Sequence, residues 1–349
     1  MKILYLSRGY TLHDHRFLSA MVEGGHTPFF LPETNAKSET RSLPKGVTAT
    51  SGNLEQAIRE IKPSLIHAGP LHQASYAAAQ TGFHPLVQMS WGSDILWQAK
   101  RNLLTRRRIR YSLEHADAVI GDCAAVKKAV MRFGVSGQKI VSFPWGIDLN
   151  RFKPGVNPEL RAQLGWQNTF VILHLRSLEL LYDPLTIARA FVGAARKNSA
   201  LRLLMPGTGS LFDRVRAVFS KANLLDRVNM PGQISQAELP SFYHSADLYL
   251  SASLSDGSSV SLMEALASGL PVALTDIPSN SEWVSEGKQG WLFTARHDRA
   301  LSELILQATE SKLDDMRTAA RQTAEEKADW SRNKLQLFRA YEIALEARG

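Results

Sequence analysis

The chain of 349 residues has one cysteine, Cys123, which excludes an internal disulfide and any thiolate metal cluster and suits a reducing compartment. Long apolar runs are missing as well. The N-terminal MKILYLSRGY turns polar after four apolar residues, short of a signal-peptide core, and no stretch approaches the roughly 20 apolar residues that span a bilayer. A cytoplasmic location is therefore expected. Acid is missing from one place in particular: Lys100, Arg101, Arg106, Arg107, Arg108 and Arg110 stand together with no Asp or Glu between residues 100 and 110. This stretch sharpens a net charge of +8 and implies an anionic partner. It also lacks interleaved aromatics, so nucleic acid is not expected, and peripheral contact with the inner face of the cell membrane is the functional reading. A merely solvated helix face is its alternative.

With 44% apolar and 21% charged residues the chain is ordinary packed protein, too long for one core, so two domains are expected. Short apolar runs alternate with helical patterns. In the first half, strands are expected at Lys2 to Leu6, Leu65 to Ala68, Leu86 to Met89, Ala118 to Gly121 and Ile140 to Phe143, with a surface helix over Asn53 to Ile61. The turn-rich Trp145-Gly146-Ile147-Asp148 and Phe152-Lys153-Pro154-Gly155 interrupt both periodicities. A second series follows at Phe170 to Leu175, Leu201 to Met205, Arg227 to Met230, Leu248 to Ser251 and Val272 to Thr275. Such alternation implies an α/β fold of two Rossmann-like parallel-sheet domains, residues 1–150 and 151–328, facing a central cleft. A last helical stretch, residues 329–349, is expected to pack back on the first domain.

The most informative segment runs from Ser253 to Val272. Gly257, Ser258, Ser259 and Val260 form a small-residue entrance to a helix whose first amides and positive dipole end attract a diphosphate. Asp256 and Glu264 stand eight positions apart, about 12 Å along a helix, enough to grip opposite ends of a nucleotide sugar. Ser261-Leu262-Met263-Glu264 also fits a capping box, which would make Glu264 structural. Asp256 before Gly257 also fits a simple turn.

This segment resembles the donor-binding signature of the GT-B glycosyltransferases of family 4, also called group 1, with an Asp where the usual first acid is Glu. The resemblance extends over nearly the whole chain. Pro144-Trp145-Gly146-Ile147-Asp148 with Phe152 is similar to the family's interdomain entry, and Leu175-Arg176-Ser177 to its phosphate-binding arginine. The lysine that follows in the family is replaced by Glu179-Leu180-Leu181-Tyr182-Asp183-Pro184. Gly207 in a Gly-x-Gly turn is read as a backbone approach to the donor, and Gln233 and Ile234 as part of the loop over the nucleobase. Ser90-Trp91-Gly92-Ser93-Asp94 resembles the segment where relatives carry an active-site histidine, absent here. Trp91 stands in its place, and Asp94 joins Asp256 as a catalytic candidate.

On the acceptor side Arg8, His13 and Trp91 are the candidates. The neighbours His13, Asp14 and His15 cannot all reach one ion without strain, so no metal and no cofactor beyond the nucleotide-sugar cosubstrate is expected. The resemblance implies transfer of a hexose-type unit with retention, from a UDP-sugar by preference or a GDP-sugar, to a glycan, lipid-linked or small-molecule acceptor. Two other classes stay open. A nucleotide-sugar epimerase would act on donor alone, and a catalytically silent subunit would bind the nucleotide sugar without releasing nucleotide.

Overall fold

The computed structural model of the chain describes residues 1–34, 39 and 41–348. They fall into two compact units: Met1–Trp145 joined by the C-terminal segment from Ser331, and Gly146–Trp330.

Among the described residues the first unit holds a seven-stranded parallel sheet of β1 (Lys2–Ser7), β2 (Thr27–Pro32), β3 (Thr48–Ala49), β4 (Leu65–Gly69), β5 (Leu86–Met89), β6 (Ala118–Gly121) and β7 (Ile140–Ser142). Its order is β3-β2-β1-β4-β5-β6-β7, so the winding reverses between β1 and β4. Strand β1 is buried on both faces. Leu4 and Leu6 join Ile66, Ala68 and the helix residues Ala57 and Ile61, while Tyr5 meets His67 edge-on. The helix Leu54–Ile61 begins where Asn53 accepts a hydrogen bond from the Gln56 amide at 3.0 Å. The C-terminal helix Leu335–Glu346 belongs to this unit. Leu337, Ala340, Tyr341 and Ala344 form its buried stripe, and the Tyr341 hydroxyl lies 3.0 Å from Nδ1 of His67.

The second unit repeats the plan with β8 (Phe170–Leu173), β9 (Leu201–Leu204), β10 (Val228–Asn229), β11 (Leu248–Ser251), β12 (Val272–Thr275) and β13 (Gly290–Phe293), ordered β10-β9-β8-β11-β12-β13 and all parallel. Here the winding reverses between β8 and β11. Val171, Leu173, Tyr249 and Val272 pack on one face; Ile172, Leu203, Leu250 and Ala273 pack on the other. Burial on both sides explains why these strands read as continuous apolar runs.

Strands β2, β3 and β13 are additions to the expected set. Every other expected strand forms within two residues of its expected ends.

Candidate functional site

In an open parallel sheet, ligands meet the loops at the carboxyl ends of the two strands that flank the reversal. In the second unit those loops carry Arg176, after β8, and the stretch from Ser253 to Ser259, after β11. The helix that follows spans Val260–Ala267, and Ser259 caps it by accepting from the Leu262 amide at 3.4 Å. Ser261 is therefore inside the helix, so the alternative capping box ending at Glu264 does not form. The amides of Val260 and Ser261 fall at the turn where an α-helix leaves its N–H groups without intrahelical partners.

Arg176 is the centre of the arrangement. Its guanidinium pairs with the Asp256 carboxylate at 2.7 Å and donates to the hydroxyls of Ser259 and, at 3.3 Å, Ser261. The Tyr182 ring covers its face at 4.1 Å, within the stretch that replaces the lysine implied by the resemblance. Nε of Arg176 is buried without a hydrogen-bond partner. Burial works against the charge on Arg176, but Asp256, joined by Tyr182 and Tyr249, favours it, and the group is held above its ordinary value. For Asp256 burial wins, raising the carboxyl against the opposing pull of Arg176 and the Gly257 amide at 3.1 Å.

Glu264 lies farther along the same helix, 4% exposed, and accepts from the Tyr243 hydroxyl at 2.8 Å. Burial and then the neighbouring carboxylate keep that phenol well above its usual range, so it stays a donor. Tyr249 exchanges a 2.8 Å hydrogen bond with the Ser261 hydroxyl and is pushed up to about 12, chiefly by burial. Gly257, Ser258 and Ser259 are buried, and Val260 is half-buried. Gly207 takes a left-handed backbone, with φ of 126°, and a Cβ there would fall 2.9 Å from the Arg176 carbonyl, so both features call for glycine. Its amide donates to the Gly232 carbonyl at 2.7 Å and so ties the loops after β9 and β10 together. Gln233 is exposed and Ile234 half-buried in the last of these.

In the first unit, Arg8 follows β1 and is exposed. His13 and Trp91 face each other, with ring centroids 6.1 Å apart. Asp94 is not open to a reactant. It is 1% exposed and accepts from the amides of Leu71 (2.9 Å), Ile95 (2.8 Å) and Trp91 (3.3 Å) and from the Ser90 hydroxyl (2.6 Å). Those bonds fasten the turn after β5 to the turn after β4. Asp14 is likewise turned inward, accepting from Tyr5 and from Thr11 in a helix capping box, while His15 lies 2.6 Å from the Tyr10 hydroxyl. The three side chains of His13, Asp14 and His15 thus diverge. Among the described residues no group of three or more His, Cys, Asp or Glu is placed to hold a metal ion.

Five polar contributors went unnoticed in the sequence. Tyr243 and Tyr249 carried no reading there, and Tyr182 stood only within the stretch that replaces the family's lysine. His174, after β8, bonds the Leu250 carbonyl at 3.0 Å through Nδ1, and burial lowers it to about 4, which keeps it neutral. His72, after β4, has a buried Nδ1 with no partner; burial lowers it, Asp94 raises it, and Arg108 and Arg8 lower it again. The one signal available was position, since both lie just beyond a strand's carboxyl end.

Two Rossmann-like parallel-sheet units, each with polar groups at its switch point, place the chain in the GT-B class. The family model for glycosyl transferases group 1 matches residues 156–327, and that for glycosyl transferase 4-like proteins matches residues 32–123. The chain belongs to this family of GT-B group 1 glycosyltransferases. Alpha-monoglucosyldiacylglycerol synthase of Streptococcus pneumoniae is 27% identical over 214 residues, covering 60% of this chain and 48% of that protein. The matched stretch spans about half the length of the curated relatives. Among solved structures, HepE of Anabaena in complex with UDP has a TM-score of 0.83 at 19% identity, covering 98% of this chain and 100% of that one. Sucrose-phosphate synthase of Thermosynechococcus elongatus has a TM-score of 0.85 at 16% identity, covering 99% and 100%. Likeness at such identity establishes the fold.

Proposed function

We propose that the chain transfers a hexose-type sugar, with retention, from a nucleoside diphosphate sugar to a lipid-linked or other glycan acceptor. The observation that carries this reading is the meeting, at the switch point of the second sheet, of the Arg176 guanidinium, the Ser259 and Ser261 hydroxyls and the opening amides of the Val260–Ala267 helix. Together these groups offer a fixed set of donors to a diphosphate. They stabilise the negative charge that grows on the leaving nucleotide as the glycosidic bond breaks, and being pre-positioned they need little reorganisation.

Asp256 is assigned to the transferred sugar, where its carboxylate meets hydroxyls and the positive charge developing at the anomeric carbon. It starts paired with Arg176, so donor entry exchanges part of that pair for phosphate. Glu264 is assigned to the ribose hydroxyls, with Tyr243 orienting its carboxylate. Its burial means that ribose contact and a small opening of this corner go together. Gly207, Gln233 and Ile234 provide backbone and loop surface near the nucleotide. Arg8, His13, His72 and Trp91 are assigned to the acceptor, and Asp94 to positioning Trp91 by fastening its turn.

UDP is favoured because HepE was solved with UDP and with UDP-glucose. A lipid-type acceptor is favoured because the streptococcal relative is an alpha-monoglucosyldiacylglycerol synthase. Thermal-shift screening of UDP-, GDP- and dTDP-sugars tests the reading. A rise in melting temperature with UDP-sugars supports it, because a ligand stabilises only a fold that binds it; no rise with any of them sinks it. Product analysis then separates the classes: sugar found on an acceptor is transfer, while a new sugar nucleotide from donor alone is epimerisation.

A further inference from the structure

The helix Leu103–Glu114 turns its conventional core residues Ile109, Ser112 and Leu113 inward and still carries apolar side chains on its outward face. Leu103 is 66% exposed, Leu104 58% and Tyr111 37%. At about 100° per residue, Arg107 projects between the leucine pair and Tyr111, and Arg108 and Arg110 flank them. The leucines sit at the helix start, immediately after Asn102, whose side chain accepts from the Thr105 amide at 3.0 Å. They follow the short helix Ala99–Arg101, which supplies two more cations, Lys100 and Arg101.

Aromatic rings hold several of these cations at the surface. Arg101 lies over Trp97 at 4.6 Å, Arg106 over Phe133 at 5.5 Å and Arg108 over Tyr76 at 5.4 Å. Tyr111 is itself braced, stacked on His115 at 4.2 Å and edge-on to Tyr76 at 5.5 Å. No acid interrupts residues 100 to 110, and Glu114 closes the far end of the helix.

We infer that this face is a docking surface for an anionic lipid bilayer, into which Leu103 and Leu104 insert while the surrounding guanidinium and ammonium groups meet lipid phosphates. The two components act together. An apolar pair at the start of a helix gains from leaving water for the acyl boundary, and long cationic side chains bury their stems while keeping their charge at the headgroups. Tyr111, amphipathic and braced, suits the interface above them. A second copy of the chain fits this face poorly, since it would set six cations against six. A nucleic acid would engage the cations and leave the leucines in water. The inference does not rest on the donor-site assignment.

Co-sedimentation of the full chain with phosphatidylcholine vesicles, with and without phosphatidylglycerol, tests it. The wild type is expected to sediment with the anionic vesicles only, and less so as salt rises. The Leu103→Ser/Leu104→Ser variant is expected to lose roughly tenfold or more of that partitioning at an unchanged melting temperature. The Arg107→Ser/Arg110→Ser variant is expected to bind more weakly and with a flatter salt dependence. Wild type that stays in the supernatant with anionic vesicles overturns the inference. So does a Leu103→Ser/Leu104→Ser variant that sediments as well as wild type, because the surface is then a general polyanion site. Self-association in sedimentation velocity that vanishes in that variant also overturns it, by assigning the leucines to a protein interface.

Discussion

Arg176 donates to two hydroxyls and a carboxylate at once, so its contribution depends on a planar fork as well as on charge. Arg176→Lys keeps the charge and loses the fork; nucleotide-sugar affinity should fall roughly tenfold or more, as measured by calorimetry. Arg176→Ala leaves the Asp256 carboxylate buried without its partner, which should cost about 3 kcal/mol of stability in urea denaturation. An unchanged urea midpoint would mean that water already serves Asp256. Arg176, Asp256 and Glu264 were visible in the sequence because their spacing around a small-residue turn has a chemical meaning by itself. Tyr182, Tyr243, Tyr249, His174 and His72 were not. The Tyr182 ring finds Arg176, and the polar ends of Tyr243, Tyr249 and His174 find Glu264, Ser261 and the Leu250 carbonyl, only after distant strands come together; until then these residues and His72 carry no sign of a site. Asp94 misled for a related reason: a carboxylate after a strand reads as reactive until four donors are found on it.

At the scale of elements, the helix Val260–Ala267 was legible in its start and its end, since Ser259 caps it and Gly269 follows it. The strands that escaped notice have local causes. Strand β2 contains Pro28 and ends on Pro32, residues that argue against a strand inside a sheet. Its pairing with β3 begins only at Phe29, past the missing N–H of Pro28. Strand β3 has two residues, both exposed, so no apolar run marks it. Strand β13 opens on Gly290, whose role becomes clear only in space. A Cβ at Gly290 would lie 1.8 Å from the Val272 carbonyl oxygen, with the backbone at φ of 151°. Gly290→Ala should therefore lower stability by about 3 kcal/mol or more, read as a lost or broadened thermal transition. A melting temperature within a degree or so of wild type would show that β12 and β13 are not held this closely.

For the molecule as a whole, each unit contains a histidine kept neutral by burial: His67, lowered to about 3, in the first, and His174, lowered to about 4, in the second. The unfolded chain takes up protons at these positions below about pH 6.5, while the folded chain does not. Stability is thus complete above that pH and falls on acidification, by up to about 1.4 kcal/mol per pH unit for each histidine. Asp14 and Asp256, raised by burial, act with the opposite sign and offset part of the loss. A melting temperature that declines from about pH 6.5 toward pH 4.5 is the expected record, and a flat profile would contradict it. No helix among the described residues is long and apolar enough to cross a membrane. The central claim is that the entrance of one helix in the second unit holds a nucleotide sugar. Its most direct test is calorimetric titration of UDP into wild type, Glu264→Ala and Glu264→Gln, the last of which keeps an acceptor for the Tyr243 hydroxyl and so controls for folding. The account predicts saturable binding to wild type and roughly tenfold or greater weakening in both variants; equal affinity in all three would contradict it.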